Sequence, residues 1–575
     1  MKISSITRMP ARWAFGAAAV ALIAGAAVTS ERQASAAAPA AAPAQAAGKA
    51  VIRRLTPTQY ENIIDEVFGP SIELGGRFEP DVRVNDLIEI GTGRVSVSSA
   101  GMQQFDIMAR AIAGQVVSER NRDIMIPCKP QSADAPDDAC AKQFLTGVGR
   151  LLFRRPLTDA ESQRFVAAAN VGAKETKDFY TGLSLSLSGL LSSPQFLFRQ
   201  VTVEPDPEKR GQYRLDAYSK ASRLSFFLWN SMPDASLLEA AEKGELDTRR
   251  GLTRHVDRMI ASPRLEAGVS AFFADMFRFD SLGALAKDAT LYPKFDSIVA
   301  ADAQQQTLRT VADVLVRQRA DYREIFTTRK TFLTQALASV YSVPLINDVP
   351  NGSPDSWQAF EFPADDSRAG ILTHLSFLAL HSHPGRSSPT LRGKALREIM
   401  LCQKVPAPPG DVTFTLVQEV NSPVYRTARD RLTAHASEPM CAGCHKITDP
   451  MGLALENFDG SGAFRETENG VRPDTKGSLD GVAFDGAAEL GRALAQNPSA
   501  TNCLVDRLSA YAMGRTLSGP ETAWVAELKK NFAKDKYVVP ELMRRIALSP
   551  EYYRAPAPAV EQTQAATNAR STNVQ

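Results

Sequence analysis

The chain has 575 residues, with 66 Lys and Arg against 64 Asp and Glu, so its formal net charge is +2 at pH 7. A balance this even gives no global field for gripping nucleic acid or an anionic membrane surface, and nucleic acid is not expected as a partner. At 44% hydrophobic and 23% charged, the chain is too apolar for a disordered protein and long enough for three or more packed units.

Residues 1–12 are basic, with Lys2, Arg8 and Arg12, residues 13–28 form an apolar run of sixteen, and Ala34-Ser35-Ala36 offers a small-residue cleavage site. This is the three-part layout of a secretory signal peptide, assigned to residues 1–36. A retained membrane anchor is the alternative, since the run is just short of a usual span. No later stretch is apolar for long enough to cross a bilayer, so no stable transmembrane span is expected after cleavage. Cleavage removes Lys2, Arg8, Arg12 and Arg32 against Glu31 and takes the net charge from +2 to −1. The expected location is periplasmic or otherwise extracytoplasmic.

Residues 37–49 are an Ala/Pro-rich linker and residues 555–575 a tail of the same character, expected to be disordered because neither can bury a core. The body between them reads mainly as α-helix, in several units in tandem. An N-terminal helical unit spans residues 50–119, opened by Thr56 as cap and Pro57 at the first helical position. A small helical unit follows at 120–175, where Thr158 and Glu161 form a capping box. A central helical unit covers 176–342. In it residues 213–234 read as one amphipathic helix with its turn, and Phe226 to Trp229 read as core. Ser193-Pro194, Ser262-Pro263 and Ser549-Pro550 punctuate helices. Residues 343–367 are a linker without period. Residues 368–484 form the next unit, in which 464–486 has room for one or two short hairpins. A C-terminal helical unit covers 485–554.

The chemistry concentrates in Cys441-Ala-Gly-Cys444-His445. Cys-x-x-Cys-His is the pattern of covalent haem c attachment, with two thiols for the vinyl groups and an imidazole as proximal iron ligand. The rival cofactor is zinc, but a structural zinc site takes four ligands and no second Cys-x-x-Cys exists. The six cysteines suit an oxidising compartment, and Cys128, Cys140, Cys402 and Cys503 remain beyond the motif. Three pairings are open, as is a set of free thiols. Cys128 and Cys140 flank a polar, Pro-containing loop and read as a local staple, which leaves Cys402 with Cys503.

With these residues in place, the layout resembles the multidomain secreted c-type cytochromes found especially in planctomycetes, built from a string of domains of unknown function. Arg53-Arg54-Leu55 with Tyr60 resembles the first block. Leu152-Phe-Arg-Arg-Pro-Leu157 with Glu161 resembles the second, and Arg223-Leu-Ser-Phe-Phe-Leu-Trp229 with Ser231-Met-Pro-Asp234 the third. Ser388-Pro389, Arg392-Gly393-Lys394 and residues 441–465 resemble the fourth, and Tyr511-Ala-Met-Gly-Arg515 the last. The resemblance runs from about residue 51 to 553. It implies one covalent haem c on Cys441, Cys444 and His445 in a cytochrome c-like unit, supports the Cys402–Cys503 pairing, and implies electron transfer without a secure substrate.

The second axial ligand separates an electron carrier from a ligand-accessible enzyme. Met451 lies six residues past His445. That stretch spans at most about 20 Å, and Pro450-Met451-Gly452 reads as a turn, so Met451 is disfavoured. Met513, 68 residues on, is the candidate distal ligand, with core packing as its other role. His374, His381, His383 and His435 are further candidates, and an open distal face completes the set. Arg392, Lys394 and Arg465 are candidates for neutralising haem propionates, with surface salt bridges as the alternative. Asp449, Glu456 and Asp459 fit acid–base or turn and cap roles. The leading expectation is a monohaem c-type cytochrome passing single electrons to a redox partner protein. The alternatives are a haem-dependent oxidoreductase with a substrate site in the 180–340 region and a secreted binding protein with a redox-active haem unit. The sequence names no catalytic residue, substrate or oligomeric state.

Overall fold

Local chemistry sets most element boundaries. In the computed structural model, which describes residues 52–207, 209–345, 356–407 and 415–555, the first strand is β1 (Arg53–Arg54) and the first helix α1 (Pro57–Phe68). Thr56 and Gln59 close a reciprocal capping box over the start of α1, with Pro57 at its first position. The signal peptide, the linker and all but the first residue of the tail lie outside the described residues.

The helices α2 (Ile88–Gly91), α3 (Ser99–Val117), α4 (Asp138–Leu152), α5 (Asp159–Thr176) and α6 (Phe179–Leu191) follow. Thr158 and Glu161 form the second capping box, at α5. Ile63, Ile64, Phe105, Ile112, Phe144 and Leu187 meet in one core. Phe226 and Met232 complete that core from the central region. The disulfide Cys128–Cys140 staples the loop before α4.

Among the described residues, four small antiparallel sheets stitch the helices together. β2 (Phe198–Arg199) pairs with β1, and β3 (Val203–Pro205) with β4 (Tyr213–Leu215). The helix expected from residue 213 therefore starts later. Asp216 caps α7 (Ala217–Trp229) through the backbone N–H of Ser219. Trp229 is buried and donates its indole N–H to the Met259 carbonyl at 3.1 Å, as suits a core tryptophan. α8 (Leu265–Met276) and α9 (Ser297–Ala312) pack beyond it. The stretch read as a periodless linker holds a strand, β6 (Gln358–Glu361), which pairs with β5 (Lys330–Leu333). Its strand character is invisible in four residues and depends on the partner.

The last third contains α10 (Pro389–Ala395), α11 (Ala428–His435), α12 (Pro439–Leu453), the hairpin β7 (Lys476–Leu479) with β8 (Val482–Asp485), α13 (Ala487–Gln496), α14 (Pro498–Met513) and α15 (Val539–Ala547). The disulfide Cys402–Cys503 ties the segment after α10 to α14. β9 (Arg554–Ala555) returns to pair with β4, so the first tail residue is part of a sheet. The main core draws on Leu87, Leu228, Phe273, Leu396, Leu504 and Tyr552, and so runs across the boundaries between the tandem units. The described residues belong to one compact unit. No helix among the described residues is long and apolar enough to cross a membrane. The architecture is mainly α, with tandem helical units interlocked by shared core.

Candidate functional site

Helix α12 carries the Cys-x-x-Cys-His motif. Cys441, Cys444, His445 and Thr448 stand at i, i+3, i+4 and i+7, which puts them on one face. The helix continues through Pro450, so the turn expected at 450–452 is its last winding. Pro450 has no N–H to offer the carbonyl of Lys446, a defect near the helix end that the packing tolerates. That packing is close. A Cβ on Gly393 of α10 would stand 1.9 Å from the Thr448 carbonyl oxygen, and one on Gly452 would stand 1.8 Å from that of Pro389. Two glycines let the two helices touch backbone to backbone.

His445 is held by this arrangement. Its Nδ1 lies 2.6 Å from Oδ2 of Asp449, one turn further along the helix. The other oxygen of Asp449 accepts from the hydroxyls of Thr390 at 2.8 Å and Thr448 at 3.1 Å. A carboxylate on Nδ1 fixes the tautomer and orientation of the ring and turns Nε2 into the nitrogen that could serve as a ligand. Nε2 has no hydrogen-bond partner among the described residues. Sequence reasoning placed Asp449 in a turn and missed this pairing. The i, i+4 spacing was the available signal, hidden by Pro450.

Cys441 and Cys444 are unpaired thiols, whereas the other four cysteines form the two disulfides. Cys441 is buried and Cys444 half-buried. Beside them opens a cavity of about 430 Å³, in the range of cofactor sites, whose walls include Cys444, His445, His435, His383, Arg386 and Lys394. Leu391, Val405, Pro406, Val417 and Leu432 supply apolar wall. The ring of His435 stands edge-on to His445, with centroids 5.0 Å apart.

The cations around the cavity divide sharply. Arg431 is ion-paired with Glu468 at 2.5 Å, both buried. Arg386 is half-buried with no ion pair or side-chain hydrogen bond among the described residues, and burial followed by the nearby Arg431 lowers its pKa. Lys394 reaches only to Glu398, at 3.9 Å. Two thiols, an oriented imidazole, a cavity of this size and an uncompensated guanidinium fit a haem c with its propionates. Arg392 and Arg465 serve elsewhere. Arg392 is fully buried and donates to the carbonyls of Leu455, Phe458 and Asp459. Arg465 pairs with Glu456 at 2.7 Å. Both bolt the loop after α12, whereas Arg386, which the sequence reading passed over, lines the cavity.

Of the distal candidates, Met451 and Met513 are core residues that do not line the cavity. Met513 ends α14, and a Cβ on the following Gly514 would stand 1.9 Å from the Arg53 guanidinium, so that helix end abuts β1. His374 is buried with Nδ1 at 2.9 Å from the Thr307 hydroxyl, and His381 packs against Phe377 with centroids 4.9 Å apart. His383 lines the cavity. Burial and the charges of Arg386 and Lys287 push its pKa down to about 4, so its ring is neutral. Among the described residues no group of three or more His, Cys, Asp or Glu side chains is arranged to hold a metal ion.

A second, larger cleft of about 1040 Å³ draws on α1, α2, α8, α9 and α14. Glu89 at its edge is paired with Arg53 and Arg199, each at 2.8 Å. Asp275 accepts from Arg83 at 2.7 Å and from the backbone N–H groups of Ile88 and Glu89, and burial pushes its pKa up to about 6. The hydroxyl of Tyr511, a residue only 5% exposed, lines the cleft and has no hydrogen-bond partner among the described residues.

Four family profiles match the chain in tandem. Each is described as a protein of unknown function: DUF1595 over residues 140–200, DUF1592 over 215–343, DUF1588, carrying the short name PSCyt3, over 368–468, and DUF1585 over 480–552. The cavity and helix α12 fall within the DUF1588 segment, whose short name is cytochrome-like. No match was found among curated proteins or among solved structures.

Proposed function

We propose that this chain of tandem DUF1595, DUF1592, DUF1588 and DUF1585 segments is an extracytoplasmic monohaem c-type cytochrome that passes single electrons to a redox partner protein. The observation that carries the reading is His445, oriented by Asp449 and lining with the unpaired Cys444 a cavity of about 430 Å³, while the second unpaired thiol, Cys441, lies one turn earlier on the same helix face. Cys441 and Cys444 would hold the haem as thioethers, His445 would ligate its iron, and Arg386 with Lys394 would face its propionates. When bound, haem c supplies a one-electron iron couple. The chain's own part is to keep Nδ1 of His445 engaged, to keep Nε2 available and to shield one face with apolar wall. Two disulfides are consistent with an oxidising compartment. The test is expression with haem-attachment machinery: one covalent haem by mass and a Soret band are expected, and Cys441→Ser/Cys444→Ser should abolish both. An unaltered chain that carries no haem after such expression rejects the reading.

A haem-dependent oxidoreductase is the second reading, favoured by the unpartnered Tyr511 hydroxyl in the larger cleft. It predicts that Tyr511→Phe slows reduction of the ferric protein by small quinols or reducing sugars without changing its spectrum. Equal rates in both proteins exclude it.

A further inference from the structure

We propose that the imidazole of His383 is the second axial ligand of the haem iron, which makes the centre a six-coordinate bis-histidine one. The inference rests on the haem c reading above and goes beyond it by naming the residue that closes the distal face.

All six histidines of the chain are placed by the structure, and five of them are occupied. His255 lies 2.9 Å from the Glu245 carboxylate, remote in sequence from the motif. His374 is enclosed with Nδ1 on Thr307, and the half-buried His381 packs edge-on against Phe377. His445 is the proximal candidate. His435 is packed edge-on against His445 itself. Two imidazoles that share one metal, each about 2 Å from it, need ring centroids about 6 Å apart with their nitrogens facing. A centroid distance of 5.0 Å at an interplanar angle of 80° is a packing contact, not such a slot. His383 alone lines the cavity with a ring that makes no hydrogen bond among the described residues.

Methionine has no place in this competition, because none of the cavity's lining residues is a methionine. The remaining donor is Lys394, which would have to shed its proton first.

The loop that carries His383 is also built for a fixed position. The Lys287 ammonium donates to the carbonyls of Ala379 at 2.7 Å, Ser382 at 3.2 Å and His383 at 3.1 Å. The backbone N–H of Asp288 holds the Pro384 carbonyl at 3.0 Å, and a bridge pairs His383 with Arg386. One tight turn thus presents a free imidazole and, three residues on, an uncompensated guanidinium to the same cavity. An axial ligand and a propionate partner are what the two edges of such a site require.

The experiment uses the full chain with haem attached, read by optical spectra, electron paramagnetic resonance and carbon monoxide binding. The unaltered protein should be low-spin in both oxidation states, lack the methionine-to-iron charge-transfer band and resist carbon monoxide. His383→Ala should become high-spin and bind carbon monoxide, and added imidazole should restore the low-spin spectrum. His383→Met, which keeps the site filled, should stay low-spin with a raised potential and gain the methionine band. A low-spin His383→Ala protein, a methionine band in the unaltered protein, or an unaltered protein that is already high-spin overturns the assignment while leaving haem attachment intact. Absence of covalent haem from the unaltered chain by mass overturns the haem reading and this assignment together.

Discussion

At the scale of single residues, the carboxylate of Asp449 governs what His445 can do. It is buried, satisfied by Thr390 and Thr448, and aimed at Nδ1 from 2.6 Å. A negative partner on Nδ1 lets the ring donate more electron density to a metal and favours the oxidised state. Asp449→Asn keeps the shape and removes the charge. Outer-shell partners of this kind are worth roughly ten- to a hundred-fold in metal affinity or activity, and each tenfold that falls on the oxidised state alone corresponds to about 59 mV for one electron. In the haem-bearing protein proposed above, potentiometric titration of Asp449→Asn should therefore show the midpoint raised, on the order of tens of mV, with haem still attached. An unchanged midpoint would mean that the pair only positions the ring. His374 gives a different signature. Burial, followed by the nearby Arg368, pushes its pKa from 6.5 down to about 3. Between those values the unfolded chain binds a proton that the folded chain refuses. Stability is thus fully present above about pH 6.5 and is lost as pH falls towards 3, at roughly 1.4 kcal/mol per pH unit. Denaturant midpoints measured at about pH 7 and pH 5 should diverge less in His374→Gln than in the unaltered chain. At this scale the motif and the four other cysteines were legible, because covalent chemistry fixes spacing and number. Asp449 and Arg386 were not. Their roles depend on which cations and carboxylates the fold leaves unpaired.

At the scale of elements, the site is a contact between α10 and α12 that tolerates no side chain. Gly393→Ala would drive a methyl to 1.9 Å from the Thr448 carbonyl oxygen, and Gly452→Ala to 1.8 Å from that of Pro389. Either change must part the two helices, at a cost of about 1–3 kcal/mol or more. It would also move Thr390 away from Asp449. Gly443, inside the motif, has nothing within 4 Å of its would-be Cβ. Gly443→Ala should therefore be neutral or stabilise α12 by up to about 1 kcal/mol. Thermal unfolding of the three variants tests this order, and a Gly393→Ala protein as stable as Gly443→Ala would refute the close contact. Caps were readable here from sequence, since Thr56 with Gln59 and Thr158 with Glu161 act within one turn. The run of α12 through Pro450, the strand at Gln358–Glu361 and the strand start at Tyr213 were not. In each, a distant partner outweighs the local signal.

At the scale of the whole molecule, the tandem segments behave as one body because their cores are continuous, and the long disulfide reinforces that continuity. Cys402 and Cys503 are 101 residues apart, and the loop they close contains α11, α12, the hairpin β7–β8 and α13. Cys128 and Cys140 close only 12 residues. Cross-linking stabilises by restricting the unfolded chain, by about 4.7 kcal/mol for a loop of about 100 residues against about 3 kcal/mol for one of about 15. Cys402→Ser/Cys503→Ser should therefore cost more than Cys128→Ser/Cys140→Ser in guanidinium unfolding of the full chain, by one to two kcal/mol on the order of that difference. The location of the damage should differ as well. Losing the long bridge frees α14 from the segment behind α10, so hydrogen exchange should quicken in α10 and α12 next to the motif. Losing the short bridge should quicken exchange only around α4. If both double variants lose the same stability, the chain-entropy account fails here, and α14 is held by the apolar contacts of Leu504, Val505 and Leu508 alone.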